Sequence, residues 1–373
     1  MKLFSVDEVR SNRVARAIND VQRGLPIVIN KEHLIVSIET LSEPHFNKLK
    51  QYFKDKLILV VPENKNWSMR SISQLCFKEV KTNVALLISA SLRHTEHQRN
   101  ISSVNETKEG QVCCVAPRNG DRKVVQLAKF FFKRAKLRPV FLLVELTAED
   151  RSFLNEAHIL NLEESDFNSY EKLISSNVEQ VTANVSIQLK HSSSASVTMF
   201  RAVTTGDEHC AIVIGNLKQN MEPLVRIHSS CYTGDLLKSL QCDCNNQLHG
   251  AIRIMSECPE NAGVIVYLAQ EGRGIGLANK LRAYALQGQG YDTVEANEKL
   301  GFNMDERDYS IASEILKKLK ITKARLLTNN PHKTEALIKN GIAISKILPL
   351  TTDINTYNEK YMAAKKNKMA HAI

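Results

Sequence analysis

The chain has 373 residues, of which 43% are hydrophobic and 24% charged, a composition typical of a globular protein that, at about 100–200 residues per domain, predicts two domains. No run approaches the roughly 18 apolar residues of a membrane span, and the segment from Met1 to Val14 lacks the apolar stretch of a signal peptide, so we expect a cytoplasmic protein that does not bind membranes. The net charge of +10 favours an anionic ligand, but 6% aromatic residues and no basic-aromatic stripe favour a phosphorylated small molecule over nucleic acid.

The first half alternates between helical and strand patterns. Helices are predicted over residues 14–24, where Gly24 follows an apolar face, and over His45–Phe53 and Val124–Arg134. Short apolar runs predict strands at Pro26–Ile29, Leu34–Ile38, Leu57–Val61, Val84–Ser89, Val112–Val115 and Val140–Glu145. This half is therefore predicted to be α/β.

Over roughly residues 10–177 the first half resembles 3,4-dihydroxy-2-butanone 4-phosphate synthase. The resemblance lies in Ala17-Ile18 through Gly24–Val28, and in Leu127-Ala128 through Pro139-Val140 with Glu145. Where that family carries an acidic loop, this chain passes from Asn30–His33 directly into a strand, and where it carries Gly-His-Thr-Glu, this chain reads Asn119-Gly120-Asp121-Arg122. Without carboxylates for Mg²⁺ or groups that move protons, we expect a degenerate, inactive domain in which Glu145 is structural.

A domain boundary is predicted near residue 177. Residues 148–177 are acidic and polar and are interpreted as the end of the first domain or a connection. The polar stretch His191–Ser196 is interpreted as a hairpin loop between strands at Val185–Leu189 and Val197–Val203. We therefore divide the chain into domains 1–177 and 178–373, both built from mixed sheets with helices.

Three cysteines in the second half, Cys231, Cys242 and Cys244, predict one metal site. Thiolates are good zinc ligands, and the C-x10-C-x-C spacing is not that of a zinc finger. Three protein ligands leave a fourth position for water, as catalytic zinc requires. The alternatives are a closed structural site completed by His228 or His249, or three thiols without a metal.

The cysteines lie between two predicted elements. Leu224–His228 alternates like a strand and ends just before Cys231. After Cys244, Asn246 is a candidate cap for a helix. The apolar face of that helix is formed by Leu248, Ala251, Ile252 and Met255.

A glycine-rich turn predicts a phosphate site. The strand Ala262–Ala269 leads into Gln270–Gly276, which precedes a helix with Leu277, Leu281 and Ala285 on one face. Glycines between a strand and a helix allow backbone to approach phosphate, although a purely structural turn explains the glycines equally well. Arg273 inside the turn favours phosphate, because guanidinium matches phosphate oxygens. Tyr284 on the following helix is either a core residue or a site residue.

The segment Gly288–Arg307 has little apolar periodicity and is predicted to be a functional loop or lid. It carries Asp305 and Arg307, a spacing that is usually a surface ion pair of little energy. A helix over Asp308–Lys320 and a strand over Ala324–Leu327 follow.

Asn330 and Pro331 then start another helix, and Lys333 in its first turn would repel the helix dipole unless an anion binds there. The basic side chains near the C-terminus are expected to be solvated, namely Lys365, Lys366 and Lys368.

Residues 178–362 resemble GTP cyclohydrolase II, the zinc enzyme that opens the guanine ring in riboflavin biosynthesis. The motifs that carry the resemblance are Arg226–Asp235, Cys242–Leu248, Gln270–Leu277, Leu281–Gln287 and Leu326–Pro331. One departure from the family lies at Cys258–Asn261, where the interval is slightly longer, in a predicted helix-strand turn in which we expect it to have no consequence.

The resemblance implies roles for individual residues. One Zn²⁺ would be held by Cys231, Cys242 and Cys244, and Mg²⁺ would accompany the triphosphate. Asp305 matches the proton acceptor, Tyr284 a tyrosine near the ring, and Arg307 a proposed nucleophile, for which charge stabilisation is an equal interpretation because arginine stays protonated. The positions that match GTP contacts are Arg226, Ile227, His228, Ser229, Ser230, Gln247, Glu271, Gly272, Arg273, Thr293, Thr328 and Lys333.

The implied reaction hydrolyses GTP to 2,5-diamino-6-ribosylamino-4(3H)-pyrimidinone 5′-phosphate, formate and pyrophosphate, in a protein that the resemblance implies to be a homodimer. Two alternatives remain at this point. One is a bifunctional enzyme that also converts ribulose 5-phosphate, against which the missing acidic loop argues. The other is a non-catalytic module that binds GTP or is stabilised by zinc.

Overall fold

The computed structural model describes residues 3–53, 56–60, 122–156, 158–174, 177–218, 222–257, 262–352 and 354–369. The chain divides into two compact units. The first contains Met1–Tyr170 and Glu298–Phe302, and the second contains Glu171–Asn297 and Asn303–Ile373. The predicted strands at Val84–Ser89 and Val112–Val115, the last residue of the predicted strand Leu57–Val61, and residues 119–121 lie outside the described residues.

The first unit begins with a helix that starts earlier than predicted. Helix α1 spans Val6–Gln22, because Ser5 and Glu8 form a reciprocal capping box at its start. Gly24 follows it with φ of +83°, and a Cβ there would lie 2.4 Å from the Thr40 carbonyl oxygen, so only glycine fits. The other elements through residue 174 are β1 Ile27–Ile29, β2 His33–Ser37, α2 Glu43–Phe53, β3 Ile58–Val60, α3 Arg122–Arg134, β4 Phe141–Glu145, α4 Ala148–Glu156, β5 Asn161–Leu162 and α5 Glu164–Ile174.

The described strands of the first unit form a mixed sheet in the order β3-β4-β2-β1-β5. The β1–β5 pair is parallel and the other pairs are antiparallel. Buried side chains of β2 and β4, such as Val36 and Leu142, pack with Phe46 and Phe53 of α2. Packing against α2 buries the apolar side chains of these strands.

Much of the segment 148–177, which its sequence indicated as the end of the first domain or a connection, forms regular secondary structure. The segment contains α4, β5 and α5. Its polar composition gave no indication that side chains such as Phe167 and Tyr170 are buried. Its acidic residues are partly used as caps, since Asp166 Oδ2 accepts from the Glu163 backbone at 2.8 Å.

The second unit is built around a larger mixed sheet. Its described elements are β6 Val178–Gln180, β7 Val185–Leu189, β8 Ser192–Ala202, β9 Glu208–Gly215, β10 Leu224–Ser229, α6 Cys244–Glu257, β11 Ala262–Leu268, α7 Leu277–Gln287, α8 Thr293–Lys299, α9 Ser310–Lys318, β12 Lys323–Leu327, α10 Pro331–Lys339, β13 Ala343–Leu348 and α11 Glu359–Met369.

The strand order in this sheet is β13-β12-β10-β11-β9-β8-β6, with β7 paired to β8. The four strands β13, β12, β10 and β11 are parallel, whereas β9, β8, β7 and β6 pair antiparallel. Parallel strands are buried on both faces, which explains the continuous apolar sequence of β11 and the burial of Leu224–His228 in β10, with Arg226 and His228 included. Buried residues of α9, such as Ile315, and of α6, such as Met255, belong to two separate core clusters against this sheet.

Several local predictions for the second unit were wrong. Ser192–Ser196 lie in β8 and not in a loop, and α6 begins at Cys244, so that Asn246 lies inside it. The predicted apolar face of α7 is not the buried one, since Leu281 is 49% exposed while Lys280 and Ala283 are buried.

The segment predicted as a lid contains α8, in which Val294 and Asn297 are buried. The basic tail forms α11, in which Lys365 is buried. No described helix combines the length and apolar composition needed to cross a bilayer.

Candidate active site

Three loops meet at one edge of the second sheet. Strands β11, β10 and β12 are neighbours and run in the same direction, so their carboxyl ends lie side by side. The loops that leave them carry the cysteine segment, the glycine-rich turn and the Thr328–Asn330 segment. Ligand sites in parallel sheets form at this edge, so the topology itself brings together motifs that are far apart in sequence.

Cys231, Cys242 and Cys244 form one group of sulfurs. Their sulfur atoms all lie within 4.8 Å of one another, and those of Cys231 and Cys242 are 3.7 Å apart. Zinc bonded at about 2.3 Å to two sulfurs in tetrahedral geometry separates them by about 3.8 Å. The sulfur donor set and its spacing therefore fit a zinc ion.

The two histidines considered as a fourth ligand have other contacts. His228 Nε2 lies 3.2 Å from Asp235 Oδ1, and the His249 ring contacts that of His191. Neither belongs to the group of metal-ligating atoms found in the described part of the chain. The geometry therefore favours a site with three protein ligands over a closed one.

Asp235 holds the cysteine segment in place. A turn of π-helix over Tyr232–Leu236 directs this carboxylate back to the Cys231 backbone nitrogen, which donates to it at 3.0 Å. The Tyr267 hydroxyl donates to the same carboxylate at 2.9 Å, and the Tyr267 ring stacks on His228. These contacts hold the Cys231 backbone in place within the loop.

The thiols are electrostatically coupled. Hydrogen bonds from Cys242 and Cys244 lower the pKa of Cys231, while the hydrogen bond to Cys231 raises the pKa of Cys242 to about 11. Lys280 Nζ donates to Cys231 Sγ at 2.9 Å and to Glu271 Oε1 at 2.8 Å. Although burial opposes its charge, these partners raise the pKa of Lys280, so a cation lies beside the sulfur group.

The glycine-rich turn presents Arg273 to the site. Gly272 and Arg273 both have positive φ, near +63° and +62°, and positive φ at a non-glycine residue is a strained conformation typical of functional sites. Both terminal nitrogens of Arg273 are buried without a protein hydrogen-bond partner among the described residues. Two buried donors on one cation are a ready site for an anion.

A polar cavity lies beside Arg273. Arg226 donates to Gln247 Oε1 at 2.6 Å and to the Leu327 carbonyl at 3.2 Å, and Lys333 Nζ donates to the Ile227 carbonyl at 2.8 Å. Burial, together with Arg226 and Arg307, lowers the pKa of Lys333 well below its ordinary value. The predicted residues that line this cavity are Arg226, His228, Ser229, Cys244, Gln247, Arg273, Arg307, Thr328 and Lys333.

A second cavity contains the sulfur group. Ser229, Cys244, Arg273 and Arg307 line both cavities, so the two are adjacent. Tyr284 lies in the second one, with its hydroxyl 3.4 Å from Thr233 Oγ1. The predicted residues that line it are Ser229, Ser230, Cys231, Cys242, Cys244, Glu271, Gly272, Arg273, Tyr284, Thr293 and Arg307.

Two predicted site residues are placed differently. The Ile227 side chain is 1% exposed and packs in the core, so only its backbone is near the cavity. Asp305 lines neither cavity, because Arg307 covers it and donates from Nε at 2.8 Å and from Nη2 at 2.5 Å. The expectation of a surface ion pair was wrong, since the two side chains are only 16% and 12% exposed.

Sequence reasoning assigned no role to several residues that the structure places at the site. Lys280 and Asp235 contact the cysteine segment directly, and Asp243 lies buried between two of the cysteines. Lys280 precedes Tyr284 by one helical turn, a spacing that could have identified it. Tyr361 and Lys365 of α11 also line the cavities, and they share the same four-residue spacing.

Comparison with known proteins finds matches to the second half of the chain. The sequence model of the family described as GTP cyclohydrolase II matches residues 179–349. A GTP cyclohydrolase-2 from Azotobacter vinelandii is 50% identical over 169 residues, which cover 45% of this chain and 80% of that protein. The protein from Escherichia coli O9:H4 with the same name is 48% identical over 174 residues, 47% of this chain and 88% of that protein.

Longer relatives match over the same half. The riboflavin biosynthesis protein RibBA of Cytophaga hutchinsonii is 49% identical over 174 residues, 47% of this chain, and the match spans only 42% of that protein's length. A solved two-domain 3,4-dihydroxy-2-butanone 4-phosphate synthase, RibBX from A. baumannii, aligns with 91% of this chain and all of that chain at 16% identity and a TM-score of 0.30. A likeness of that strength supports no argument about the first half.

Proposed function

The chain belongs to the GTP cyclohydrolase II family, and from that membership we propose that it hydrolyses GTP to 2,5-diamino-6-ribosylamino-4(3H)-pyrimidinone 5′-phosphate, formate and pyrophosphate in riboflavin biosynthesis. One observation carries the proposal most strongly. The sulfur group lines the same cavity as Arg273, whose two terminal nitrogens have no hydrogen-bond partner among the described residues. A metal that acts on the purine and a cation that holds its phosphates are thereby within reach of one ligand.

We propose that Cys231, Cys242 and Cys244 hold Zn²⁺, which when bound supplies Lewis-acid activation of water for opening the guanine ring. The chain's own contribution is to orient the purine beside the sulfurs. Tyr284 and Thr293 line the same cavity as the three cysteines, although they are distant from them in sequence. This arrangement supports a purine site at the metal end.

The phosphate end is proposed to lie in the polar cavity. Arg226, Arg273 and Lys333 bring three cationic groups to it, and Thr328 lies in the same wall. Fixed cations stabilise the charge that develops on a departing pyrophosphate, and Mg²⁺ with the triphosphate would add to them.

For Arg307 we propose charge stabilisation rather than nucleophilic attack. Although burial opposes its charge, the neighbouring Tyr309 and Asp305 raise the pKa of Arg307, so the guanidinium keeps its proton. A protonated guanidinium has no lone pair with which to attack phosphorus. Its hydrogen bonds to Asp305 instead fix it toward the cavities.

A homodimer is also proposed. The cysteine segment exposes four large apolar side chains, which a second copy would cover, namely Tyr232, Leu236, Leu237 and Leu240. Light scattering of the purified chain should give twice the mass of 42.0 kDa. A monomeric mass at micromolar concentration would rule the proposal out.

The decisive experiment uses GTP labelled with ¹³C at C8 and the zinc-loaded chain in Mg²⁺ buffer. NMR should show the label in formate, with pyrophosphate appearing at the same rate. Protein treated with a zinc chelator and then reloaded is the control. If the zinc-loaded chain leaves the label in the purine, the proposed hydrolysis is wrong.

A further inference from the structure

The last described helix, α11, contributes side chains to both cavities. It spans Glu359–Met369 and therefore lies beyond residue 349, where the family match ends. Tyr361 lines both cavities and Lys365 lines the polar one. A segment expected to be a solvated tail is thus part of the wall of the site.

Lys365 pairs with a carboxylate inside the metal loop. Its Nζ donates to Asp243 Oδ1 at 2.5 Å, and the exposed fractions of the two side chains are 8% and 0%. The other oxygen of Asp243 accepts from Gln247 at 2.6 Å and from Thr352 at 3.2 Å. Asp243 separates Cys242 from Cys244 in sequence, so the position of this carboxylate is coupled to that of two sulfurs.

Removing one partner of a fully buried pair leaves an uncompensated charge. Without Lys365, the Asp243 carboxylate keeps its bonds from Gln247 and Thr352 but has no charged partner, and a shift of this residue toward water would displace the backbone that it shares with Cys242 and Cys244. Removal of Lys365 would therefore affect the metal ligands indirectly, through Asp243. Partners that orient metal ligands are typically worth roughly 10- to 100-fold in metal affinity.

Tyr361 holds the phosphate-binding arginine. The guanidinium carbon of Arg273 lies 5.6 Å from the centre of the Tyr361 ring, and Lys365 Nζ lies 4.5 Å from it. A ring face attracts a cation without occupying its N–H donors. Tyr361 can therefore fix Arg273 while both of its unpartnered terminal nitrogens stay available to an anion.

A third contact fixes the end of the helix. Lys368 pairs with Asp292 and lies 3.4 Å from Glu295, at the start of α8. Thr293, which lines the sulfur cavity, lies between these two acidic residues. Helix α11 thus contacts the cysteine segment, the glycine-rich turn and α8.

We infer that α11 is a functional part of the active site, in which Lys365 positions the metal ligands through Asp243 and Tyr361 positions Arg273 for the phosphates. This inference deepens the proposed function and rests on it for the identity of the phosphate ligand. Lys365 and Tyr361 are positioning residues, because they act through Asp243 and Arg273.

The Lys365 part is tested by metal retention. In Lys365→Met, transfer of zinc to a chromogenic chelator should be roughly 10- to 100-fold faster than in the unchanged protein. The matched control is Lys366→Met, since Lys366 is exposed on the same helix, and it should keep the original rate. Equal rates in the two variants would overturn the role of Lys365.

A second variant separates positioning from loss of folding. Asp243→Asn combined with Lys365→Met removes both charges and should retain zinc better than Lys365→Met alone, because no buried charge remains unpaired. If Lys365→Met does not fold, the double variant is compared with the unchanged protein instead, and zinc transfer less than about tenfold faster supports the coupling. A double variant that folds but transfers zinc to the chelator as fast as Lys365→Met would contradict the coupling.

The Tyr361 part is tested by binding without turnover. Titration calorimetry with the α,β-methylene analogue of GTP and Mg²⁺ should show about three- to thirty-fold weaker binding for Tyr361→Ala and no change for Tyr361→Phe, which keeps the ring. Unchanged binding in Tyr361→Ala would overturn its role. If the unchanged protein does not bind the analogue at all, the proposed function fails instead, and zinc retention still tests Lys365.

Discussion

The three thiols at the carboxyl edge of the sheet share protons through hydrogen bonds with one another. In the protein alone, the pKa of Cys231 is lowered and that of Cys242 raised to about 11, because the first sulfur accepts a hydrogen bond from the second. A divalent ion stabilises every thiolate that binds it and removes this competition for a proton. The cluster is therefore expected to release protons when it takes up metal.

The first prediction at this scale concerns Cys242. Cys242→Ser should lose zinc and lower formate release more than about 100-fold, because even partners that only orient metal ligands are worth 10- to 100-fold. Zinc content by atomic absorption and formate release measure the two effects. Cys210→Ser is the control, since burial raises the pKa of that thiol to about 11 and it lies outside the sulfur group. Full activity in a zinc-free Cys242→Ser protein would refute the metal's role.

Lys333 gives a prediction about pH. Burial and two neighbouring arginines lower its pKa well below 10.5, so its ammonium loses its proton at a lower pH than an ordinary lysine does. A triphosphate binds the charged form better, so the KM for GTP should rise as the pH is raised from neutrality toward 10. Lys333→Met should have a higher KM throughout and a flatter profile.

Lys339→Met provides the comparison for that profile, because Lys339 is exposed on the same helix. It should reproduce the pH dependence of the unchanged protein. An alkaline rise of the same steepness in Lys333→Met would assign the effect to another group.

Sequence periodicity predicted the elements whose buried residues are mostly hydrophobic and failed for two helices, α7 and α11, that each bury a lysine. Strand β11 and the apolar face of α6 were predicted because their buried residues are hydrophobic, whereas β10 was predicted from its alternating sequence although it also buries Arg226 and His228. The face of α7 was predicted wrongly because it buries Lys280, which a thiol and Glu271 compensate. The same reason explains α11, where Lys365 is buried against Asp243.

The candidate site likewise contains residues that the sequence predicted and residues that it did not. The three cysteines and the glycine-rich turn could be predicted from residue type and spacing, since their chemistry is local in sequence. The contact of Lys365 with Asp243 spans 122 residues, and no local pattern indicates it. Long-range pairs of this kind follow only from the strand order and the course of the chain after β13.

The turn that carries the cysteines yields a prediction for Gly234. A Cβ there would lie 2.8 Å from Cys242 Sγ and 2.9 Å from Cys231 Sγ, closer than real Cβ contacts. Gly234→Ala should therefore displace the sulfurs and lower zinc content, with little change in the far-ultraviolet circular dichroism spectrum. Gly250→Ala is the matched control, because its Cβ would meet only Leu350 Cδ1 at 3.6 Å inside α6.

The control should retain zinc and gain up to about 1 kcal/mol of stability, since alanine is the better helix former. A Gly234→Ala protein that binds zinc as tightly as Gly250→Ala would show that the sulfurs tolerate the displacement.

At the scale of the whole molecule, the two units differ in the functional side chains on the turns after their strands. In the first unit, the segment that the sequence resemblance aligns with an acidic loop is a tight turn between β1 and β2, where Ile29 pairs with His33. Asn30 and Lys31 have positive φ there, and Glu32 is the one carboxylate between the two strands. Such a short connection leaves no chain with which to build a carboxylate platform for Mg²⁺. Glu145, at the end of β4, is exposed.

This contrast leads to a prediction for the intact chain. Ribulose 5-phosphate with Mg²⁺ should yield neither formate nor 3,4-dihydroxy-2-butanone 4-phosphate, because moving protons on a sugar phosphate requires an acid, a base and a metal platform. The preparation must be one that releases formate from GTP, so that the same assay detects both reactions and inactivity cannot be blamed on damaged protein. Formate released from ribulose 5-phosphate at a rate proportional to protein concentration, and retained in Cys242→Ser, would locate a second active site in the first unit and make the chain bifunctional.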